Sequence, residues 1–286
     1  MSRPLDHGTS DEFRANRHLD VLVPTRNRPA ELAVTLSGLA AQEGVPDFGV
    51  VVSDQSDHQP AYAHPAAATM VRVLRHQGHP VLLTRRLPRR GLAEHRASLL
   101  AASTAHYVLC LDDDVWLAPG ALHRLVTAIE ELGCGFVGNA VHGLSYLHDV
   151  RPETHRHYEE WNGPPVPERI RPGTPQWERA LLHPAANLLH VTERLRLPPG
   201  SWRAYKVSWI GGCVLYDREK LVDAGGFDFW RRVQEKHQGE DVAAQLAVLE
   251  RHGGAGILPS GAFHLESPTT VTEREVEAWE VLLEQA

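Results

Sequence analysis

The sequence predicts an α/β protein: a mostly parallel central sheet with helices on both faces, plus a loop-rich insertion. Three observations predict it. Short apolar, β-favouring runs alternate with segments of helical apolar spacing, the succession a covered parallel sheet requires. Polar residues gather where those runs stop, at Thr25 to Arg28, Ser53 to Ser56 and Asp112 to Asp114, so they would open on one sheet edge. Periodicity then fails between about Val141 and Gly200, among prolines and histidines.

Residues 1 to about 17 read as a flexible lead-in, charged and poor in apolar side chains. Leu19 to Val23 forms the first strand, ending at Pro24-Thr25-Arg26-Asn27-Arg28. Pro29 suits a first helical turn, and Leu32, Leu36 and Leu39 follow at helical spacing. Phe48 to Val52 is the second strand and Val71 to Leu74 the third. A helix from about Leu92 to Ser103 delivers the chain to Tyr107–Leu111, a buried strand that climbs into Asp112-Asp113-Asp114. Leu122, Leu125, Val126, Ile129 and Leu132 then share one helical face, and Gly133 stops it.

Three adjacent carboxylates at a strand's carboxyl end repel one another and call for a cation. Oxygen ligands suit a hard ion such as Mg²⁺ or Mn²⁺, which also holds nucleotide phosphates. A solvated acidic turn capping the next helix explains the same residues without a ligand.

The insertion carries His142, His148, His155, His157, His183 and His190, with Trp161, Trp177 and Trp202 nearby. No pair has a firm metal-ligand spacing and no cysteine joins them, so solvated or packing histidines are favoured over a zinc site. Loops on a rigid sheet usually carry specificity, which makes this segment a wall or lid over an acceptor. Val207 to Tyr216 resumes strand character, interrupted by Gly211-Gly212, either a bulge or a close backbone approach to a ligand. Gly225-Gly226-Phe227-Asp228 is a turn with an aromatic anchor. Glu240 and Asp241 open a helix with Val242, Leu246 and Leu249 on one face, and the helix dipole alone would favour acids there. Gly256 to Pro259 leads to Phe263-His264-Leu265-Glu266. The final stretch reads as an amphipathic helix with Val276, Trp279 and Leu283 on one face and Thr272 with Glu275 as its capping box.

The bulk numbers narrow the function. At 286 residues the chain can bury a sizeable core, as one large α/β domain or two small ones. A net charge of −7 argues against a general nucleic-acid binder. Basic residues cluster at Arg85-Arg86-Leu87-Pro88-Arg89-Arg90, to meet an anionic ligand or as a solvated loop. Cys110, Cys134 and Cys213 stand far apart in apolar surroundings, as reduced core thiols would. No run approaches the roughly 20 apolar residues of a membrane span, and Met1 to Arg17 has no apolar signal-peptide core. A soluble cytoplasmic protein is the expectation.

Taken in order, these motifs resemble a family 2 glycosyltransferase of the Rossmann-like GT-A fold. The resemblance runs from about Leu19 to His264. It rests on Val23 to Arg28, Ser53 to Ser56, Gly91-Leu92-Ala93-Glu94-His95-Arg96 and Leu111 to Asp114, and continues through Gly211-Gly212-Cys213, Gly225 to Asp228 and Gly239-Glu240-Asp241-Val242. Each is short, but the order is specific.

The resemblance implies roles. Pro24, Thr25, Arg26 and Arg28 belong to the first loop, which cradles the nucleotide. Asp54 matches the acid that accepts a hydrogen bond from the base, and Arg96 the basic residue after the Gly91 turn. Asp112 and Asp114, with Asp113 between them, match the D-x-D acids that hold ribose and a metal-bridged diphosphate. Gly211 and Gly212 let the backbone approach the donor. His264 stands where a late histidine adds a metal ligand, giving a metal set of Asp114, Asp112 and His264. Asp241 matches the catalytic carboxylate, with Glu240 as the alternative. Gln55 replaces a usual second acid and His95 a common alanine, both bearing on base and sugar preference.

The implied reaction moves a sugar from a nucleoside diphosphate sugar to an acceptor hydroxyl with inversion, using Mn²⁺ or Mg²⁺ and a carboxylate base. A UDP-sugar is the favoured donor, with GDP- and dTDP-sugars as alternatives. No nucleic-acid partner is expected, and a homodimer is among the assemblies open to the chain. Along the chain this divides into a lead (1–17), a nucleotide-sugar-binding half (18–140), the insertion as acceptor lid (141–202), an acceptor and catalytic half (203–270) and a C-terminal helix (271–286). A nucleotidyltransferase would place a glycine-rich loop after the first strand, where Pro24-Thr25-Arg26-Asn27 has no glycine. A metal-dependent sugar-nucleotide hydrolase and a non-catalytic nucleotide-sugar or glycan-binding module are the remaining alternatives.

Overall fold

The structure, a computed structural model, describes residues 5, 13, 17–45, 47–269 and 275–283. In chain order it contains β1 (Leu19–Thr25), α1 (Pro29–Ala40), β2 (Phe48–Asp54), α2 (Pro65–His76), β3 (Val81–Arg85), α3 (Leu92–Ala102), β4 (Tyr107–Leu111), β5 (Val115–Leu117), α4 (Ala121–Leu132), β6 (Phe136–Gly138) and β7 (Val141–Gly143). There follow α5 (Pro152–His155), α6 (Asn187–Leu195), β8 (Arg203–Tyr205), β9 (Cys213–Asp217), α7 (Arg218–Asp223), β10 (His237–Gln238), α8 (Glu240–His252), β11 (Gly254–Leu258), β12 (Ala262–His264), β13 (Val276–Glu277) and α9 (Ala278–Leu283).

Eight strands make the main sheet in the order β3-β2-β1-β4-β9-β6-β11-β8. β3, β2, β1 and β4 are parallel, β6 and β11 share their direction, and β9 and β8 oppose it. Alternation along the strands divides the core in two. Leu19, Val21, Val23, Val50, Val52, Leu109 and Leu111 face one way, against Leu32 and Leu36 of α1, Val71 and Leu74 of α2 and Leu125 and Ile129 of α4. Leu22, Val51, Val108 and Cys110 face the other, against Leu99 of α3, Val191 of α6 and Leu246 of α8. Both faces are covered, so β1, β2 and β4 are buried along their whole length. A smaller sheet, β5-β12-β7, sets His264 in register with Val115, beside the acidic turn.

Three expectations are corrected. Val71 to Leu74 lies in α2, where Pro65 occupies the first turn and Ala67, Val71 and Leu74 bury one helical face. The third strand is Val81–Arg85, too short and too close to Pro80 to stand out in sequence. Of the run Val207 to Tyr216, only the part from Cys213 onward is strand, because Gly212 takes φ +76° and turns the chain. Val276 pairs with His237 in a two-stranded ribbon rather than opening the last helix, which begins at Ala278. Thr272 lies outside the described residues, so its capping box does too. Within the stretch read as a lead-in, Phe13 is buried, with the Arg17 guanidinium 4.2 Å from its ring centre. No helix among the described residues is long and apolar enough to cross a membrane.

Candidate active site

A cleft of about 780 Å³ opens at the carboxyl ends of β1, β2 and β4. Pro24, Thr25, Arg26 and Arg28 line it from the first loop, and Asp112, Asp113 and Asp114 from the acidic turn. Gln55, His95 and His264 line it as well. Sequence-distant motifs thus meet because parallel strands all point their carboxyl ends at one edge.

The three acids have separate surroundings. Asp113 is buried: Thr25 Oγ1 donates to its Oδ2 at 2.7 Å and Arg28 Nη1 to its Oδ1 at 3.2 Å. Burial pushes its carboxyl up to about 7 despite those donors. This middle acid ties the first loop to the acidic turn. Asp114 receives Arg28 Nη1 on Oδ2 at 2.5 Å, and burial, followed by the charge of Asp112, raises its pKa. Asp112 is the most open, its side chain 38 % exposed, with Arg96 Nη2 donating to Oδ1 at 2.7 Å.

Arg96 does not line the cleft. It is 5 % exposed and also donates from Nε to Glu240 Oε1 at 2.8 Å. Glu240 and Asp241 begin α8 behind Asp112, outside the cleft walls. Asp241 Oδ1 accepts the Val242 N–H at 2.9 Å, and burial, then the charge of Glu240, pushes its carboxyl up to about 7. The Gly211-Gly212 turn runs between these acids. A Cβ on Gly211 would stand 3.8 Å from Asp241 Oδ2, and one on Gly212 would stand 3.4 Å from Asp112 Oδ2. The Asp112 N–H donates to Gly212 O at 2.9 Å, which fixes the turn against the acidic strand.

Asp54 does not reach the cleft. It is fully buried, accepting the Ser56 N–H at 2.8 Å, the Ser56 hydroxyl at 3.0 Å and the Ala61 N–H at 2.8 Å. Its neighbour Gln55 lines the wall instead, with Nε2 buried and without a hydrogen-bond partner. Asp54 is the last residue of β2, and Gln55 opens the loop that follows it. His95 is buried in neutral form, its ring nitrogen Nε2 2.8 Å from Ser53 Oγ, and burial lowers its pKa to about 3. His237 also lines the cleft and was missed. Its Nε2 accepts the Ala93 N–H at 3.1 Å, and Gly91 must be glycine there, since a Cβ would lie 2.4 Å from the ring.

Two donors face each other where a cation would sit: Asp114 Oδ2 and His264 Nε2 are 3.5 Å apart. Among the described residues no three His, Cys, Asp or Glu side chains converge as a ready cage. An incomplete set fits an ion that is held by one or two carboxylates and finished by phosphate oxygens and water. The ring's Nδ1 accepts the Glu266 N–H at 2.8 Å, which leaves the proton of the neutral ring on Nε2. A cation held through Nε2 would have to displace that proton and, with it, the Glu266 contact.

The insertion's aromatic residues pack mainly against other parts of the chain. Trp177 meets Trp209 and Trp279 with ring centres 4.6 and 4.9 Å apart, and Trp161 lies under Lys206. His142 is buried and His183 partly buried; desolvation keeps both neutral, lowering them to about 4 and about 3.

The sequence profile of the family described as Glycosyl transferase family 2 matches residues 20–189, more than half of the chain. Among solved structures, S. aureus TarS 1–349 gives a TM-score of 0.53 at 15 % identity, over 86 % of this chain and 60 % of that one. S. aureus TarS gives 0.51 at 18 %, over 87 % and 37 %. The complex of TarS 1–349 with UDP-GlcNAc gives 0.50 at 17 %, over 88 % and 61 %. At such identities the likeness concerns the fold, and this chain spans less than two thirds of each. No curated protein matches the sequence. The profile match and the parallel sheet with its acidic cleft lead to one conclusion: the chain belongs to glycosyl transferase family 2 and has the GT-A fold.

Proposed function

We propose that the chain transfers a sugar from a nucleoside diphosphate sugar to an acceptor hydroxyl, inverting the anomeric carbon. The observation that carries this reading is the division of acids: Asp112, Asp113 and Asp114 edge the cleft, while Asp241, with a raised pKa, stands apart across the Gly211-Gly212 turn. Such a division suits a reaction with a charged leaving group on one side and a proton to remove on the other.

The donor's diphosphate would lie against Arg26 and Arg28, with Pro24 and Thr25 shaping the loop and Asp112 meeting the ribose. Asp113 acts indirectly by holding Thr25 and Arg28, Arg96 by holding Asp112, and Asp54 by shaping the loop that presents Gln55 to the base. A UDP-sugar is the favoured donor, with GDP- and dTDP-sugars as alternatives. Asp114, His264 and Asp112 would hold Mn²⁺ or Mg²⁺, which supplies Lewis-acid neutralisation of the departing diphosphate.

Asp241 takes the proton of the acceptor hydroxyl while that oxygen bonds to the anomeric carbon. The bond from this carbon to the diphosphate oxygen breaks, and its electron pair leaves with the nucleoside diphosphate. Attack opposite the leaving group inverts the centre. The reduced, buried cysteines Cys110, Cys134 and Cys213 support a reducing compartment such as the cytoplasm.

Calorimetric titration with UDP, GDP and dTDP, each with and without Mn²⁺, tests the donor site. Tight binding of one nucleotide, strengthened by metal, is expected. A folded protein that binds none of them would remove the donor reading. Free sugar released at equal rate with and without acceptors would favour hydrolysis instead.

A further inference from the structure

Two adjacent carboxylates open α8, and the fold treats them differently. Glu240 is 3 % exposed, and its Oε1 accepts the Arg96 Nε–H at 2.8 Å. Asp241 is only partly buried. Its Oδ1 accepts the Val242 N–H, while Oδ2 looks toward the Gly211 backbone and meets no donor among the described residues. The guanidinium that holds Glu240 also holds Asp112, at 2.7 Å from Nη2. One buried cation on α3 thus ties the end of β4 to the start of α8.

We propose that Arg96 is a positioning residue: by clamping Glu240 to Asp112 it makes Glu240 a buttress and leaves Asp241 as the only one of the pair free to take a proton. The word proton here rests on the glycosyl-transfer reading above. The clamp itself is geometry.

A general base must accept a proton and later release it, so its carboxylate cannot be the sole partner of a buried cation on that side. Were Glu240 to turn outward, the Arg96 Nε–H would lose its acceptor inside the protein, where an unpartnered charged group is strongly disfavoured. Asp241 faces no such tie. Its charge environment comes from three directions. Glu240 on its own helix and Asp112 from the acidic turn raise its pKa, and Arg96 on α3 opposes them. Tyr216, on β9, is buried and neutral, and Glu277 of β13 reaches only as far as Gly239. The clamp therefore sets both which acid is free and how strongly it holds a proton, and two substitutions should move that proton affinity in opposite directions.

Selective ¹³C labelling of aspartate carboxyls allows the Asp241 titration to be followed by NMR, its signal identified by loss in Asp241→Asn. Glu240→Gln keeps shape and a hydrogen-bond acceptor for Arg96 but removes a negative charge. The Asp241 midpoint should fall by about one unit. Arg96→Gln should raise it, and Arg96→Lys should restore it partway. In transfer assays Glu240→Gln should lose less than tenfold in kcat above pH 8, with its acid limb displaced downward in step with the NMR midpoint. Asp241→Asn should lose transfer at every pH. An Asp241 midpoint that ignores Glu240→Gln overturns the proposal. So does transfer that survives Asp241→Asn and dies in Glu240→Gln, which would make Glu240 the base. If Arg96→Gln does not fold, the Glu240→Gln arm decides alone. A wild-type chain that titrates as expected yet transfers no sugar overturns the transferase reading and the base assignment together. A working transferase with an unmoved midpoint overturns the clamp only.

Discussion

The Arg28 guanidinium meets Asp114 at 2.5 Å, and neither side chain is more than 11 % exposed. The same nitrogen reaches Asp113, so one cation offsets two acids at the mouth of β4. Repulsion within the acidic run is thereby relieved before any ligand arrives.

Arg28→Met should cost about 3–5 kcal/mol of folding stability, because it strands buried carboxylates without a counter-charge. Urea unfolding measures this directly. A loss below roughly 0.5 kcal/mol, the range of ordinary surface substitutions, would mean that other groups compensate the acids.

Asp114→Ala should weaken nucleotide binding mainly when Mn²⁺ is present, since the carboxylate's part in donor binding would run through the cation. Calorimetry with and without EDTA separates the two conditions. Equal losses in both would remove Asp114 from metal holding.

Asp241→Asn should bind the donor within about threefold of wild type, yet lose roughly 10²–10⁴ in kcat, the usual weight of general base catalysis. In the wild type, kcat/KM should fall tenfold per unit as pH drops below about 7, where Asp241 becomes protonated. A flat profile from pH 5 to 8 would leave the base unassigned.

Two histidines of the insertion make a separate pH prediction. His142 and His183 are held near 4 and 3 in the folded protein, below the ordinary value of 6.5. Between those values and about pH 6.5 the unfolded chain binds more protons, so their contribution to stability shrinks as pH falls. Asp113 and Asp241, raised to about 7, act in the opposite sense over the same window, since there the folded state holds more protons. The diagnostic is therefore a difference between variants. His142→Phe should gain stability relative to wild type as urea titrations move from pH 7.5 to 5.5. An unchanged difference would show that His142 is not a buried neutral group.

Much of the sheet was legible because β1, β2 and β4 each carry a run of apolar residues, as strands covered on both faces need. Helix α8 announced itself through Val242, Leu246 and Leu249, and its opening acids were visible as a pair. Val71 to Leu74 misled because its three apolar residues, two of them β-branched, fit either period, and the alanines that complete the α2 face carry little signal. The partners of the acids were not legible at all. Arg96 and Glu240 lie 144 residues apart, and only the packing of α3 beside α8 brings them together. Asp54 was read by motif as facing a ligand, whereas the turn through Ser56 and Ala61 draws its oxygens inward.

Arg28 also donates to the carbonyl of Pro268, 240 residues further along the chain. Ser267 and Thr269 line the same cleft. At about 5–20 residues per second a ribosome needs on the order of 10–50 s to travel that distance. During this interval β1 and its loop can exist, but the donor cleft has no far wall. The nucleotide-binding surface is completed by late-made residues, so a nascent chain gains its full site only after the sheet it depends on has been synthesised.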